Sequence, residues 1–421
     1  MKKPPPARQI TAYMYDGDRI RKGVLPVLSG DIVIRRNEVS TFSLTVNGNS
    51  TFGQRFQPGW RVSIWDTTPG LEPVQLIAGA ATAIEDELSG GVRTVTISGV
   101  DDFVWLDQGV MLSAPDLSFP ESGTNTSSTT GGYYPTGPNK IQPGGLILSL
   151  LDDQLANAHQ SHHQSRSGLM KVEYPEFGKD LGPTTMTGFT WGDLYKTLAE
   201  SVDRVFAESG WDGTIDIRYV DETRMTIFTT RSPNDYSRRV RLSMGNGGVK
   251  GFKITEEAPT ATQVYGIIPR LGESWPKTYP SFTSEVDDDI WGVGATAAID
   301  VDDGGDDDGP SSWYAEGNVK ERLEETAKEL SGKTAKASIE VDVEDTPHLS
   351  FPRRFGLGDI ITVDLEDAQF TDQVQRVDLS WGTDGVRANL QVGPELTESS
   401  TSLAPTIRDI KRKLRRTFVR G

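Results

Sequence analysis

The 421-residue sequence contains no cysteine. Disulfides, thiolate metal sites and cysteine nucleophiles are thereby excluded, and with them a secreted scaffold stapled by disulfides. Long apolar runs are also missing. The longest, Leu146-Ile147-Leu148-Ser149-Leu150-Leu151, falls far short of the ~20 residues that a bilayer-spanning helix needs. The opening Met1-Lys2-Lys3-Pro4-Pro5-Pro6 is basic, but no apolar stretch follows it, so no signal peptide is expected there. Basic residues are in deficit. The chain has 43 Lys and Arg against 60 Asp and Glu, for a net charge of −17. That balance argues against nucleic acid as a binding partner, because phosphate binding needs cations that displace counterions.

Catalytic signatures are equally scarce. There is no Gly-x-Ser-x-Gly elbow. Gly245-Asn246-Gly247-Gly248 lacks the Lys-Ser/Thr ending and the following helix of a phosphate loop, and is expected to be a turn. A carboxylate pair for glycoside cleavage stays open in principle, but among 60 acidic residues no chosen pair carries weight.

Gly and Pro, by contrast, are plentiful. The 44 Gly and 24 Pro favour many short strands over long helices. With Gly counted and Tyr left out, the apolar share is roughly 43%, slightly under the usual ~45–50% and enough for a sizeable core. The length suggests about two to four domains.

Patterning gives the order of those domains. Ile32/Ile34, Phe42/Leu44/Val46, Val62/Ile64 and Val95/Ile97 alternate with polar neighbours, as half-buried antiparallel strands do. Asn47-Gly48-Asn49, Gln57-Pro58-Gly59 and Ser89-Gly90-Gly91 separate them as turns. Residues 113–145 are rich in Ser, Thr, Gly and Pro, a linker composition. A helix is expected after Pro143, with Ile147, Leu150, Leu151, Leu155 and Ala158 on one face. A second is expected from about Thr190, capped by Thr190 and Asp193, with a stripe of Leu194, Leu198, Val202, Val205 and Phe206. A hairpin should follow, with Ile215, Ile217 and Tyr219 on the way out and Met225, Ile227 and Thr229 on the way back. A third helix is expected over 318–331, ending at Gly332. Residues 337–393 again alternate as strands, with Asp384-Gly385 as a hairpin turn.

The expected fold class is therefore mainly β with an α+β insertion, in several domains, two of them barrel-like. The boundaries are an N-terminal β block at 1–110, a linker and α/β insertion at 111–236, a β segment with an acidic loop and a helix at 237–336, a C-terminal β block at 337–400, and a basic arm at 401–421. Charge is unevenly spread among these segments. Residues 285–308 hold ten acidic residues and no basic one, whereas residues 408–420 hold seven basic residues and one acidic. The acidic run is expected to be a solvated loop, since like charges resist burial together. The basic arm could contact DNA, a membrane or an acidic partner surface.

Two clusters are candidate metal sites. His159, His162 and His163 would share one face of a helix, as transition-metal ligands do, but Ser and Gln neighbours favour a solvated helix end. Asp302 and Asp306 lie in a carboxylate-rich stretch of the kind Ca²⁺ favours. A frame starting at Asp300, however, puts Gly304 at the fifth position and Ser311 at the twelfth, where a bidentate Glu belongs. No cofactor and no catalytic residue is assigned. The nine Trp, among them Trp60, Trp65, Trp105, Trp191, Trp211 and Trp381, fall mostly at strand or turn ends. Core filling is the plain reading of them and subunit interfaces the functional one.

Three motifs in order along the chain carry a resemblance. Gly30-Asp31-Ile32-Val33-Ile34-Arg35-Arg36-Asn37-Glu38, continuing through Phe42-Ser43-Leu44, resembles the first strand, "RxNE"-like turn and second strand of the hub and minor tail proteins of long-tailed bacteriophages. Pro58-Gly59-Trp60-Arg61-Val62-Ser63-Ile64 is similar to the strand that follows in them, and Phe355-Gly356-Leu357-Gly358-Asp359-Ile360-Ile361-Thr362-Val363 to a later one. The resemblance covers most of residues 10–395. The acidic loop is a departure from it.

The resemblance implies a structural tail-tip protein without enzymatic activity. It would form a homotrimer whose two β domains per subunit make a ring of pseudo-sixfold symmetry. The implied partners are the distal tail protein, other tail-tip proteins, the tape-measure protein and a downstream fibre or receptor-binding protein, with phage DNA passing through without specific binding. A receptor- or carbohydrate-binding tip protein, which predicts an aromatic-lined cleft, is the alternative. A tail-associated lysin would call for a catalytic domain of its own.

Overall fold

A computed structural model gives the fold. It describes residues 8–51, 53–108, 132–133, 142–152, 169–176, 178–184, 189–190, 197–244, 248–257, 263–268, 277–283, 296–300, 336–343, 351–365 and 368–393. The chain divides into two compact units. The first comprises Met1–Leu242, Val343–Thr362 and Asp372–Leu390; the second comprises Ser243–Asp342, Val363–Thr371 and Gln391–Gly421.

In the first unit seven antiparallel strands come first: β1 (Ile10–Tyr15), β2 (Arg21–Leu25), β3 (Val27–Arg35), β4 (Thr41–Asn47), β5 (Arg61–Asp66), β6 (Val74–Ser89) and β7 (Val92–Asp101). Their spatial order is β3-β4-β7-β6-β5-β1-β2. Period-two alternation makes β4 what it is: Phe42, Leu44 and Val46 are buried and their neighbours half-exposed. Leu44 faces Ile97 and Val46 faces Val95 across the β4–β7 ladder, and each such buried chain contributes about 1.5–3 kcal/mol. Phe42 faces Gly99, where an added Cβ would lie 2.2 Å from the Phe42 ring, so only glycine fits. β5 departs from the one-faced expectation. Arg61, Val62, Ser63, Ile64 and Asp66 are all buried, because chain from elsewhere in the unit covers its second face. The far half of the β6–β7 hairpin is solvated, and Leu88 and Val92 at its tip are 72% and 64% exposed.

The insertion follows. After α1 (Val104–Gln108), it comprises β8 (Gly132–Tyr133), α2 (Pro143–Leu151), β9 (Met170–Val172), β10 (Phe189–Thr190), α3 (Leu198–Ser209), β11 (Thr214–Val220) and β12 (Met225–Arg231). The expected hairpin is β11–β12, with Ile217 opposite Phe228, and β9 adds to it in parallel. α2 has Pro143 in its first turn, a position that needs no N–H. Its Leu146, Ile147, Leu150 and Leu151 pack with Leu198, Val202, Val205, Trp211 and Phe228 into one core. α3 begins later than the sequence suggested. Its capping box is Thr197 with Glu200, while Thr190 lies in β10. Glu reaches back to the cap N–H, which the shorter Asp193 side chain is less suited to do. Gly210 at φ +63° ends the helix. Leu155, Ala158, Leu194 and the helix expected over 318–331 lie outside the described residues.

The unit is completed by β13 (Arg241–Ser243) and by the chain's last strands. In the second unit, β14 (Val249–Glu257) neighbours β18 (Lys336–Val343), and β15 (Gln263–Ile268) lies between β16 (Lys277–Thr283) and β17 (Thr296–Asp300). β17 places a short strand within the acidic run 285–308. Thr-Ala-Ala-Ile-Asp carries one charge, and the like charges that resist burial flank it. β19 (Ile360–Leu365), β20 (Ala368–Gly382) and β21 (Gly385–Val392) close the sequence of strands. Gly385 at φ +94° makes the expected turn between the last two. In the first unit β20 pairs with β3, from Arg376 opposite Arg35 to Trp381 opposite Gly30. The first and last β blocks therefore share a sheet. Among the described strands this sheet stays open, because β20 occupies the edge of β3 that closing the N-terminal block on itself would use. The architecture is mainly β with an α+β insertion. Among the described residues no helix is long and apolar enough to cross a membrane.

Candidate functional site

The first unit is held together at buried and half-buried arginines. Asp102, directly after β7, is 1% exposed, and Arg61 at the start of β5 is 7% exposed. Arg61 Nη2 donates to Asp102 Oδ1 at 2.7 Å and Oδ2 at 2.6 Å, and Thr226 Oγ1 of the insertion donates to Oδ2 at 2.5 Å. Arg19 sits beside them at φ +59° in the turn between β1 and β2. Its Nη1 donates to the carbonyls of Leu169 (2.9 Å) and Arg224 (3.1 Å). Its guanidinium stands 5.6 Å from the centre of the Trp105 ring and 5.8 Å from that of Tyr219, whose hydroxyl donates to the Arg19 carbonyl. Burial, then the nearby Arg61, lowers the Arg19 pKa to about 10. Next to this group, burial raises the Asp101 carboxyl to about 7 against the pull of its bonds from Ser40 and Phe103.

The "RxNE"-like turn makes the second joint. Arg36 Nη2 donates to the carbonyls of Asp212 (2.6 Å) and Gly213 (2.8 Å), Nη1 to Gln373 Oε1 (2.8 Å), and Nε to Thr214 Oγ1 (3.3 Å). Asn37, at φ +55°, accepts from Ile215 N and donates to the Gly213 carbonyl. One turn thus holds the start of β11 and the middle of β20. Burial lowers the Arg36 pKa to about 10.

A third joint explains the late motif. Asp359 accepts from Gly356 N (2.6 Å) and Asn234 N (3.1 Å) and pairs with Arg231 Nη1 (2.7 Å), while Arg231 also bonds Asp216 and the Leu357 carbonyl. Gly358 has φ +75°, and a Cβ there would lie 2.1 Å from Thr214 Oγ1, so the motif needs its glycine. Asp66 receives Arg8 and Arg353, each at 3.0 Å. Burial alone would raise its pKa, but Arg353, Thr68 and Arg8 together hold it below the usual carboxylate range. The chemistry of all four places is that of joints, in which arginine donors meet carbonyls and carboxylates from distant stretches of chain.

Beside the Asp102 joint lies an open cleft of 430 Å³. Tyr13, Tyr15, Trp65 and Tyr219 line it, with Gln75 between them, and Arg21, Arg218, Asp221 and Glu222 form its charged rim. Tyr15 and Tyr219 meet edge to face, ring centres 5.1 Å apart, and burial raises the pKa of both phenols.

Of the residues singled out from sequence, His159, His162, His163, Asp302 and Asp306 lie outside the described residues, as do the basic arm and Trp191. Among the described residues no group of three His, Cys, Asp or Glu could hold a metal ion. Trp211 fills the insertion core, Trp60 meets Phe56, and Trp381 packs where a side chain on Gly30 would stand. Sequence reasoning missed Arg19, Asp102 and the cleft, and it showed Asp359 as part of a motif without its task. The positive φ at Arg19 has no residue-type signal, and the ion pairs join positions far apart in the chain.

The family model described as "Siphovirus ReqiPepy6 Gp37-like protein" matches residues 169–394. No curated protein matches the chain. Among solved structures, the 43 kDa tail protein of prophage MuSo2 from Shewanella oneidensis superposes with a TM-score of 0.52 at 14% identity, covering 91% of this chain and 98% of that one. The tail protein from Neisseria meningitidis MC58 gives a TM-score of 0.52 at 10% identity, covering 93% and 99%. Both likenesses are of fold.

Proposed function

The chain belongs to the family of Siphovirus ReqiPepy6 Gp37-like proteins, and from that membership we propose that it is the hub of a siphovirus tail tip. Its fold is that of phage tail proteins. In the proposed role three copies form a ring that joins the hexameric tail to the threefold parts below it. The ring lines or closes the channel until DNA is ejected.

The β3–β20 ladder carries this reading, because it makes the first and last β blocks one sheet, to which Arg36 ties the insertion. A subunit that passes a mechanical signal from host contact to channel opening needs its parts to move together. Packed, hydrogen-bonded joints are bistable and transmit a displacement, where flexible linkers absorb it. The net charge of −17 suits a wall that DNA must cross without sticking, since like charge repels phosphate. The partners in this role are the distal tail protein, other tip proteins, the tape-measure protein and a downstream fibre or receptor-binding protein. The role needs no enzymatic step.

Native mass measurement and light scattering test it. A trimer is expected, alone or on mixing with the neighbouring tail protein. A strict monomer at every concentration under both conditions would overturn the hub reading. Zymography on host cell walls tests the non-enzymatic part, and a cleared band would sink it.

A further inference from the structure

The cleft beside the Asp102 joint has features that packing alone does not use. Thr11 faces Trp65 and Tyr13 faces Ser63 across β1 and β5, so Tyr13, Tyr15 and Trp65 share one face of the sheet with Trp65 diagonal to Tyr13. Trp65 and Tyr13 are only half-buried. Their surroundings are fixed in advance. Trp65 Nε1 donates to Ser63 Oγ, while the Gln75 amide accepts from Tyr219 N at 2.8 Å and donates to Tyr219 O at 3.1 Å. With the indole N–H committed, what Trp65 offers a visitor is the face of its ring.

The rim is polar and its charges balance. Arg21 stands 3.6 Å from the centre of the Tyr13 ring and 3.5 Å from Asp221, and Arg218 and Glu222 complete the opening. Two cations and two carboxylates leave the rim without net charge. A polyanion would meet the carboxylates, and a wholly apolar ligand would strip water from four charges without replacing it. A neutral molecule with flat C–H faces and many hydroxyls satisfies both surfaces. The volume of 430 Å³ falls within the ~300–1,000 Å³ of small-molecule sites.

We propose that this cleft binds a neutral pyranose oligosaccharide. A sugar ring stacks on Trp65, and Arg21, Asp221 and Glu222 hydrogen-bond its hydroxyls. This goes beyond the hub role and does not depend on it. A tail tip with such a site makes direct contact with surface glycan.

Saturation-transfer NMR on the full chain, with glucose, galactose, N-acetylglucosamine, maltose, lactose and chitobiose as probes, tests it. Transfer to the ring protons of at least one sugar is expected. Trp65→Ala should weaken that binding about tenfold and Trp65→Phe should restore part of it, while Glu222→Gln at the exposed rim should weaken it about threefold. Circular dichroism identifies a Trp65 variant that fails to fold, and Glu222→Gln then decides. No transfer to any of these sugars from the folded wild type overturns the proposal. So does binding indifferent to the folded variants. Light scattering of the same samples reads the hub role separately.

Discussion

The Asp102 joint and the Arg36 joint hold the same insertion to the same β block, and both use arginine, but by different chemistry. At Asp102 the cation of Arg61 meets a carboxylate that is 1% exposed. At Arg36 the bonded acceptors are carbonyls, side-chain amides and a hydroxyl, all of them neutral. The difference predicts how each fails. Breaking a buried ion pair leaves a charge without its partner, whereas breaking the second leaves neutral acceptors.

The largest effect is expected at the first joint. Arg61→Leu should cost about 3–5 kcal/mol in urea unfolding, because among the described residues Asp102 would keep only the Thr226 hydroxyl as a side-chain hydrogen-bond partner. Adding Asp102→Leu should recover most of that loss. A double variant as unstable as the single would show that the pair is not a closed unit, and the comparison would break. Arg36→Met should cost less, about 2–3 kcal/mol, and Arg36→Lys should not restore it, since a compact ammonium cannot span five acceptor groups. Full recovery with Lys would mean that charge, and not the fork, makes the second joint.

A pH measurement addresses Asp101, the residue next to the first joint. Burial raises Asp101 to about 7, so below pH 4 both folded and unfolded chains hold the proton and the group has no effect. Between about pH 4 and 7 the folded chain binds more protons, and stability falls as pH rises. Asp101→Asn should remove on the order of 2 kcal/mol of that decline between pH 5 and 8. A slope unchanged by the variant would refute the assignment. The smallest effect belongs outside both joints. Leu88→Ser at the hairpin tip should shift stability of the isolated chain by less than about 0.5 kcal/mol, and a larger loss would show the tip to be packed.

Much of this was legible in the residues. The alternation of Phe42, Leu44 and Val46, the β11–β12 hairpin and the Asp384-Gly385 turn are local, and the structure has them where the pattern puts them. The α3 boundary was misplaced by seven residues of chain in which two Thr-x-x-acid patterns compete, and the longer acid won. The "RxNE"-like and "GLGD" stretches were visible as motifs, but their task was not, because Arg36 and Asp359 act on segments more than a hundred residues away.

The sequence by itself determined that this chain is a β-rich protein without thiol chemistry, with strand faces set by period-two alternation and turns set by glycine. These depend on neighbours in the chain. Only the tertiary structure decided that β20 joins β3, that Asp102 is the carboxylate Arg61 meets, and that Tyr13 and Trp65 face one cleft. Sixty acidic residues look alike in sequence. Burial and distance single out the few that matter, and both exist only once the chain has folded.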